Sequence, residues 1–196
     1  MNKKEVIAII GKAGSGKDTI LQEVLKRAPQ VVKDEYPEGG CNEFKEIISC
    51  TTRPKRECEI EGVNYFFLTD EKFAEKILCN EFAEVTNFNN WFYGTLVSQL
   101  SSDKRNIGVF NPEGIRSLIE DPRINLMAVY YIEVSDKQRL MRQLTRENSP
   151  NVDEIIRRYK TDNEDFKYLD FEYITLHNEE EEDLMNCVEF IIQDNI

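Results

Sequence analysis

The sequence predicts an α/β fold in which helices flank a parallel sheet, with a β-rich insert at residues 46–95 and a helical excursion at residues 135–168. Two apolar runs, Val6–Ile10 and Leu126–Val134, are typical of buried parallel strands. Segments with one apolar face at helical spacing alternate with such strands, which indicates an α/β core. We expect one domain over residues 1–196, with a core made of residues 1–45, 96–134 and 169–196.

Composition and charge exclude several classes of protein. The 196 residues include 37 acidic and 25 basic ones, so the formal net charge is −12. This balance argues against nucleic acid or an anionic membrane as the main partner. The run Val6–Ile10 is too short for a signal sequence or a membrane span. Five cysteines without a C-x-x-C pair predict reduced thiols and a cytoplasmic protein, and we expect a structural role for the single histidine, His177.

The first half of the chain alternates helices with short strands. A helix should begin at Lys17 and end near Arg27, because Pro29 follows, and Tyr36–Gly40 is predicted to be a loop. Thr69 or Asp70 is a candidate cap for a short helix over Glu71–Leu78. Runs rich in aromatic and β-branched residues predict the strands Glu46–Thr52, Val63–Leu68, Phe82–Thr86 and Trp91–Thr95.

The second half returns to the α/β alternation. Strands are predicted at Ile107–Phe110, Leu126–Val134 and Phe171–His177. Helix-start signals follow these strands. They are Pro112 after the first, Ser135 or Asp136 and then Ser149–Pro150 after the second, and the acidic run Glu179–Asp183 after the third.

A glycine-rich segment between the first strand and the first helix predicts a phosphate site of the P-loop NTPase type. Its residues are Gly11, Lys12, Ala13, Gly14, Ser15, Gly16, Lys17, Asp18 and Thr19. Glycines let backbone N–H groups surround a β-phosphate, the helix N-terminus favours anions, and Lys17 can reach the β- and γ-phosphates. The alternative is a glycine-rich turn that only starts a helix. The strand before the segment and the helix after it favour phosphate binding.

Asp18 departs from this motif. The usual residue after the lysine is Ser or Thr, a direct magnesium ligand. A carboxylate is also a good oxygen ligand for Mg²⁺, but it repels phosphates unless the metal lies between them. Asp18 is therefore the candidate metal ligand, and the hydroxyl of Thr19 is an alternative that the sequence leaves open.

The insert carries a second polar set that suits a nucleotide. Two arginines three residues apart, beside two tyrosines, can hold a phosphate dianion, because arginine provides permanently charged bidentate donors. A solvated arginine pair and tyrosines that only pack are the alternatives. The set comprises Ser49, Arg53, Arg56, Tyr65, Glu84, Tyr93 and Thr95.

The order of these residues resembles the guanylate kinase family. The resemblance is carried by Ser49–Arg56, Glu61–Phe67, Glu81–Glu84 and Trp91–Thr95, together with the glycine-rich segment. It implies that Arg53, Arg56, Tyr65 and Tyr93 grip a nucleoside monophosphate, while Ser49, Glu84 and Thr95 meet its guanine. Glu84 suits guanine on chemical grounds too, because a carboxylate accepts from N1–H and the 2-amino group, whereas adenine presents an acceptor at N1. A surface glutamate is the alternative.

The region after the long strand holds five of the chain's eleven arginines. Positions 139, 142 and 146 share a helical face without an apolar stripe, so core packing does not explain them and a solvated surface is the alternative. The resemblance implies a lid whose arginines stabilise the transferring phosphoryl group, and Arg142, Arg146 and Arg158 match it best. Asn111 stands where the family has an acidic base contact, and Asn178 is a candidate contact on the adenine side.

The resemblance implies a kinase that moves the γ-phosphoryl group of ATP to GMP or dGMP with Mg²⁺, and we expect Lys17, Arg142, Arg146 and Arg158 to carry catalysis. A broader deoxynucleoside monophosphate kinase is an alternative suggested by Asp18 and Asn111. A second alternative is a guanylate-kinase-like module that binds a phosphorylated partner without catalysis. A GTPase switch is disfavoured because the chain contains no Asn-Lys-x-Asp motif. Oligomeric state cannot be inferred from the sequence.

Overall fold

The computed structural model describes residues 2–35, 44–146 and 148–196, so the predicted loop Tyr36–Gly40 and Cys41 lie outside the described residues. Its strands are β1 (Lys4–Ile10), β2 (Phe44–Glu46), β3 (Cys50–Thr51), β4 (Phe66–Phe67), β5 (Phe82–Phe88), β6 (Trp91–Leu96), β7 (Arg105–Val109), β8 (Ile124–Glu133) and β9 (Ile174–His177). Its helices are α1 (Lys17–Glu35), α2 (Asp70–Leu78), α3 (Pro112–Glu120), α4 (Asp136–Thr145), α5 (Val152–Asp165) and α6 (Glu181–Gln193).

A five-stranded sheet has the order β2-β7-β1-β8-β9. The pairs β2–β7 and β8–β9 are parallel. The side chains of Val6–Ile10 are fully buried, as the continuous apolar run predicts for a strand covered on both faces. The predicted α/β class is confirmed.

A four-stranded sheet with the order β4-β3-β6-β5 forms the predicted β-rich insert. Strands β5 and β6 make an antiparallel hairpin, and its two turn residues, Asn89 and Asn90, both have positive φ, as two-residue hairpin turns require. One face of the sheet packs on α2 through an apolar cluster that includes Cys50, Phe73, Phe82 and Leu96. The opposite face is therefore left for polar residues, because side chains alternate along a strand.

The chain divides into two compact units. The first comprises Met1–Ile7, Phe44–Gly108 and Glu113–Met127, and it contains the four-stranded sheet. The second comprises Ala8–Glu43, Val109–Pro112 and Ala128–Ile196, and within it α1 packs against α6. The boundaries proposed above for the insert and the lid stay a prediction.

Several predicted boundaries are wrong, and the last strand, predicted from Phe171, begins only at Ile174. Helix α1 continues past Pro29 to Glu35, because one proline removes a single backbone hydrogen bond while the buried Val24 and Ala28 hold the adjacent turns in the core. The strand predicted over residues 46–52 is interrupted because β2 pairs in one sheet and β3 in the other. The strand predicted over residues 63–68 shrinks to β4, because residues 60–65 form turns, with the N–H of Gly62 donating to the carbonyl of Tyr65 at 2.9 Å.

Two of the predicted helix caps are present, whereas the helix predicted to start at Ser149–Pro150 begins later. Thr69 caps α2 and Ser135 caps α4, each accepting a backbone N–H three residues later at 3.3 Å. Asn151 caps α5, so this helix begins two residues after Pro150. None of the helices in the described ranges combines the length and the hydrophobicity needed to cross a bilayer.

Candidate active site

The glycine-rich loop lies between the end of β1 at Ile10 and the start of α1 at Lys17, as predicted. Gly14 and Gly16 have φ values of +82° and +86°, which residues other than glycine rarely adopt. A Cβ atom on Gly14 would lie 2.6 Å from the carbonyl oxygen of Arg139, and one on Gly16 would lie 2.6 Å from Nδ2 of Asn178. The loop therefore requires glycine at both positions for conformation and for space.

The residues after the loop present oxygen ligands to solvent. The side chain of Asp18 is 81% exposed, and its Oδ2 lies 3.7 Å from Nζ of the mostly buried Lys17. Thr19 is exposed one residue further along. Across the described part of the chain, no group of three or more His, Cys, Asp or Glu side chains is arranged to hold a metal ion. The oxygens of Asp18 and Thr19 fit a magnesium ion that is held mainly by substrate phosphates, because Mg²⁺ usually takes only one or two protein carboxylates.

A cavity of about 700 Å³ lies beside the loop in the second unit. Its lining includes Gly16, Thr19, Arg142 and Asn178, and further along it Glu180 and Glu181 of the α6 N-terminus. A volume of this size falls within the range of small-molecule and cofactor sites. The cavity therefore offers room for the rest of a nucleotide whose phosphates lie on the loop.

Unpartnered polar atoms gather around the same loop. Six buried side-chain nitrogen or oxygen atoms of the described residues have no hydrogen-bond partner, and four of them belong to Ser15, Arg139, Arg142 and Asn178. Buried polar groups are normally hydrogen-bonded, so such a cluster needs an explanation. A polar ligand on the loop would provide one for the atoms of Ser15, Arg142 and Asn178.

Two of the three proposed catalytic arginines have partners in the structure. Arg142 Nη2 donates to the carbonyls of Asn178 at 2.8 Å and Glu179 at 3.1 Å, which places this side chain at the loop. Arg158 Nε donates to Glu154 Oε1 at 2.7 Å. Arg157 and Arg158 together hold the pKa of Glu154 down to about 2, with the hydrogen bond from Arg157 as the larger cause. Arg146 is exposed at the C-terminal end of α4, and catalytic roles for all three stay predictions.

The expectation for Arg139 is wrong. The sequence placed it on a cationic face that core packing does not explain, but the residue is only 1% exposed. Its guanidinium pairs with Asp136 and Asp162 and lies over the ring of Tyr159 at 5.3 Å. Carboxylates from two helices compensate the buried charge, so an apolar stripe is not needed to bury it.

The polar face of the four-stranded sheet collects the predicted base contacts. Glu84 pairs with Thr95 across the β5–β6 hairpin, and Thr95 Oγ1 donates to Glu84 Oε1 at 2.8 Å. Both residues are buried. Loss of water raises the pKa of Glu84 to about 7, although the bond from Thr95 acts in the opposite direction. Tyr93 lies two residues before Thr95, so its side chain is on the same face.

Arg53, Tyr65 and Tyr93 come together as predicted. Arg53 is 6% exposed, and its Cζ lies 5.4 Å from the ring centre of Tyr65. Tyr65 and Tyr93 meet edge to face, with 5.9 Å between ring centres. The side chain of Arg56 is exposed at the same turn. A buried cation beside two phenols is suited to an anionic group.

Sequence reasoning missed Glu59. Its Oε1 accepts from Arg53 Nη2 at 2.5 Å, and its Oε2 accepts the backbone N–H of Arg56 at 2.9 Å. The hydrogen bond from Arg53 lowers the pKa of Glu59. An acidic residue three positions after Arg56 was the available signal, but only the fold of the turn shows which charges meet.

The remaining predicted contacts are less defined. Ser49 is half-buried, and its carbonyl accepts the N–H of Phe66 at 3.0 Å. Asn111 is half-buried and belongs to the second unit. Asn178 is buried, and its Nδ2 donates to the carbonyl of Ser15 at 2.8 Å, so it supports the glycine-rich loop directly. The substrate contacts of Ser49 and Asn111 stay predictions.

Comparisons with known proteins point to one family. The sequence model of the guanylate kinase family matches residues 3–195. The chain is 30% identical to a guanylate kinase of Thermotoga maritima over 195 residues, which cover 97% of this chain and 87% of that protein. It is 27% identical to a guanylate kinase of Fusobacterium nucleatum, with 96% and 98% covered. The crystal structure of guanylate kinase from Anaplasma phagocytophilum aligns with a TM-score of 0.66 at 16% identity, covering 100% of this chain and 89% of that one, which supports the fold. The family model matches nearly the whole sequence and the Thermotoga maritima relative is 30% identical over almost the full length of this chain, so this chain belongs to the guanylate kinase family.

Proposed function

We propose that this chain transfers the γ-phosphoryl group of ATP to GMP, giving ADP and GDP. The observation that carries the choice of acceptor is the buried Glu84–Thr95 pair on the polar sheet face. When ionised, Glu84 can accept hydrogen bonds from N1–H and the 2-amino group of guanine. Adenine would place an acceptor against this carboxylate, and an unpaired buried group is the basis of strong discrimination.

The acceptor phosphate belongs with Arg53, Arg56, Tyr65 and Tyr93. Arg53 is held in place on several sides, while Arg56 is exposed and free to reorient toward a dianion. The hydrogen bond to Glu59 is the main reason why the pKa of Arg53 lies above its ordinary value. The charge needed to hold a phosphate is therefore present at any physiological pH.

The donor phosphates belong with the loop of residues 11–17, and Lys17 is suited to the β- and γ-phosphates. We assign a magnesium ion to Asp18, with Thr19 as the alternative ligand, and such an ion neutralises phosphate charge when bound. The acceptor phosphate is already anionic, so no side chain needs to become a covalent nucleophile. Lys17, Arg142, Arg146 and Arg158 then act by position and charge.

The other interpretations are less well supported. A binding module without catalysis has no need for the glycines at positions 14 and 16 or for Lys17, which this chain keeps in phosphate-loop geometry. A broader deoxynucleotide kinase would need a base site that tolerates adenine or a pyrimidine, against the buried Glu84. We therefore expect dGMP, which carries the same base, to be the main secondary acceptor.

A coupled phosphoryl-transfer assay with ATP tests the proposal. GMP should be the best acceptor, dGMP should be second, and AMP, CMP and UMP should be poor ones. Arg56→Ala should raise the KM for GMP much more than the KM for ATP, because Arg56 is assigned to the acceptor alone. Equal turnover of GMP and AMP, or equal effects of Arg56→Ala on both substrates, would contradict the assignment.

A further inference from the structure

One residue of the phosphate loop, Ala13, is hydrogen-bonded through both its N–H and its carbonyl to helices of the same unit. The backbone N–H of Ala13 donates to Asp162 Oδ2 on α5 at 2.6 Å. The carbonyl of Ala13 accepts from Arg139 Nη1 on α4 at 3.3 Å and from Gln143 at 3.4 Å. The loop at this point is therefore bonded to both α4 and α5.

Arg139 and Asp162 also bond to each other. Arg139 Nη1 lies 3.4 Å from Asp162 Oδ2, and the side chain of Arg139 is 1% exposed. The backbone of Arg139 is close to the loop as well, since a Cβ on Gly14 would lie 2.6 Å from its carbonyl oxygen. The next residue of α5, Asn163, accepts from Nζ of Lys12 at 2.9 Å. Residues 12–14 therefore contact one cluster of residues from α4 and α5, in which Arg139 and Asp162 are bonded to each other.

We propose that Arg139 and Asp162 form a positioning pair that fixes the phosphate loop for the donor nucleotide. Neither residue is assigned a contact with substrate. Asp162 orients the peptide that precedes Ala13 through its N–H, and Arg139 orients the peptide that follows through its carbonyl, so the loop is held before ATP arrives. Preorganised backbone donors bind an anion without the cost of ordering them.

The proposal rests on the assignment of ATP phosphates to this loop. It adds two residues, 126 and 149 positions away from Ala13 along the chain, whose bonds to the loop are local to the second unit. It also links the loop to the helices that carry Arg142 and Arg158. A loop displaced on its support should bind ATP less well, whereas GMP, assigned to the first unit, should bind as before.

The alternative is an ion pair that only stabilises the fold, and Asp136 provides a matched control. Asp136 Oδ1 accepts from the same guanidinium, at 2.6 Å from Arg139 Nη2, and its other oxygen accepts from the hydroxyl of Tyr159. The side chain of Asp136 accepts from Arg139 and Tyr159, whereas that of Asp162 also reaches the loop. Asp136→Asn therefore weakens the same cluster and leaves the Ala13 N–H bond in place.

The experiment measures ATP binding by titration calorimetry, the KM for ATP and GMP, and the melting temperature for the whole chain. The variants are Asp162→Asn, Asp162→Ala and Asp136→Asn. Asp162→Asn keeps an acceptor for the Ala13 N–H but loses the charge, so the dissociation constant and KM for ATP should rise severalfold. Asp162→Ala loses both and should raise them about tenfold or more, the usual size of a lost hydrogen bond to a charged group.

The positioning role requires that the KM for GMP stay within about twofold of the wild-type value in both Asp162 variants. It also requires that Asp136→Asn lower only the melting temperature. If Asp162→Ala does not fold, Asp162→Asn decides alone. Unchanged ATP affinity in a folded Asp162 variant, or an equal loss in Asp136→Asn, would overturn the proposal. If the wild-type chain bound ATP but did not phosphorylate GMP, only the proposed function would fail, because the calorimetric titration needs no acceptor.

Discussion

Glu59 holds the guanidinium of Arg53 through a hydrogen bond of 2.5 Å, while its second oxygen accepts the backbone N–H of Arg56. One carboxylate therefore fixes both the buried arginine and the turn that presents the exposed one. Arg53 Nη1 is used as well, donating to the carbonyl of Pro54 at 2.9 Å. The orientation of Arg53 is set before a phosphate arrives, which lowers the cost of ordering it upon binding.

Glu59→Gln should raise the KM for GMP by about tenfold, because the hydrogen bond to a charged acceptor is replaced by a weaker neutral one. The KM for ATP should change less than twofold. Glu57→Gln is the matched control, because Glu57 is exposed in the same turn and its substitution removes the same charge. Steady-state kinetics with each substrate varied in turn would check this. A similar increase in both variants would mean that only the net charge of the turn matters.

The carboxyl group of Glu84 should make GMP binding depend on pH. Its pKa is raised to about 7 by burial, so a substantial fraction is protonated below neutrality in the free enzyme. The protonated form loses acceptor capacity toward guanine, and the KM for GMP should therefore rise as the pH falls from 8 to 6. In Glu84→Gln the KM for GMP should be high and should lack the part of the pH dependence that comes from Glu84. The variant is also the control for the phosphate of GMP, which itself titrates near pH ~6.

The carboxyl group of Glu84 should also make stability depend on pH. Low pH should weaken GMP binding but favour the folded state. Between the ordinary pKa of 4.5 and the folded value of about 7, the folded chain binds more protons at Glu84 than the unfolded chain does. The contribution of Glu84 to the free energy of unfolding therefore falls as the pH rises through this window. Chemical denaturation at pH 5 and pH 8 should show that Glu84→Gln gains stability relative to wild type at the higher pH. An equal difference at both pH values would show that Glu84 is ionised throughout.

The parts of the fold and site that follow local rules were predictable from the sequence. The run Val6–Ile10, the glycines at 14 and 16 and the start of α1 at Lys17 form one continuous stretch, so neighbouring residues determine the structure there. The Glu84–Thr95 pair could be predicted as well, because a hairpin with a two-residue turn fixes which residues face each other.

The parts that depend on distant partners were not predictable. Arg139 follows the pattern of an exposed cationic face, and only the packing of α4 against α5 brings Asp162 to it from 23 positions away. Residues 46–52 form one run rich in β-branched residues, yet the chain leaves one sheet and enters the other within it. Periodicity describes the faces of a segment, whereas these features depend on which segment packs against it.

Lys17→Ala should reduce kcat by roughly 10²–10³-fold, the usual effect of removing one charged donor from a preorganised site. The side chain is 19% exposed and pairs with the exposed carboxylate of Asp18 at 3.7 Å, so its loss should not disturb the core. The melting temperature should stay close to that of wild type, and Lys3→Ala, which changes an exposed lysine before β1, should leave kcat unchanged. A rate assay and a thermal melt of each variant would test this, and near wild-type turnover without Lys17 would refute a catalytic role for the loop.

The last prediction concerns Asp18, whose side chain is 81% exposed and lies 3.7 Å from Lys17 Nζ. If Asp18 binds magnesium, directly or through a water, its charge is useful only while the metal is bound. Asp18→Ser should then keep substantial activity, because a hydroxyl is the common ligand at this position. Asp18→Ala should need markedly more magnesium, and Asp18→Asn should fall between the two.

The competing role for Asp18 is stabilisation of the α1 dipole, worth ~0.3–1 kcal/mol for an exposed first-turn acid. A magnesium titration of turnover at fixed ATP, with thermal melts of the same variants, separates the two roles. Metal binding predicts a shifted magnesium midpoint with a nearly constant melting temperature, because a side chain so exposed makes few contacts that matter for folding. The dipole role predicts a lower melting temperature in Asp18→Ala and Asp18→Ser with the midpoint unchanged. In that case Thr19, exposed one residue further along α1, would be the protein ligand to examine next.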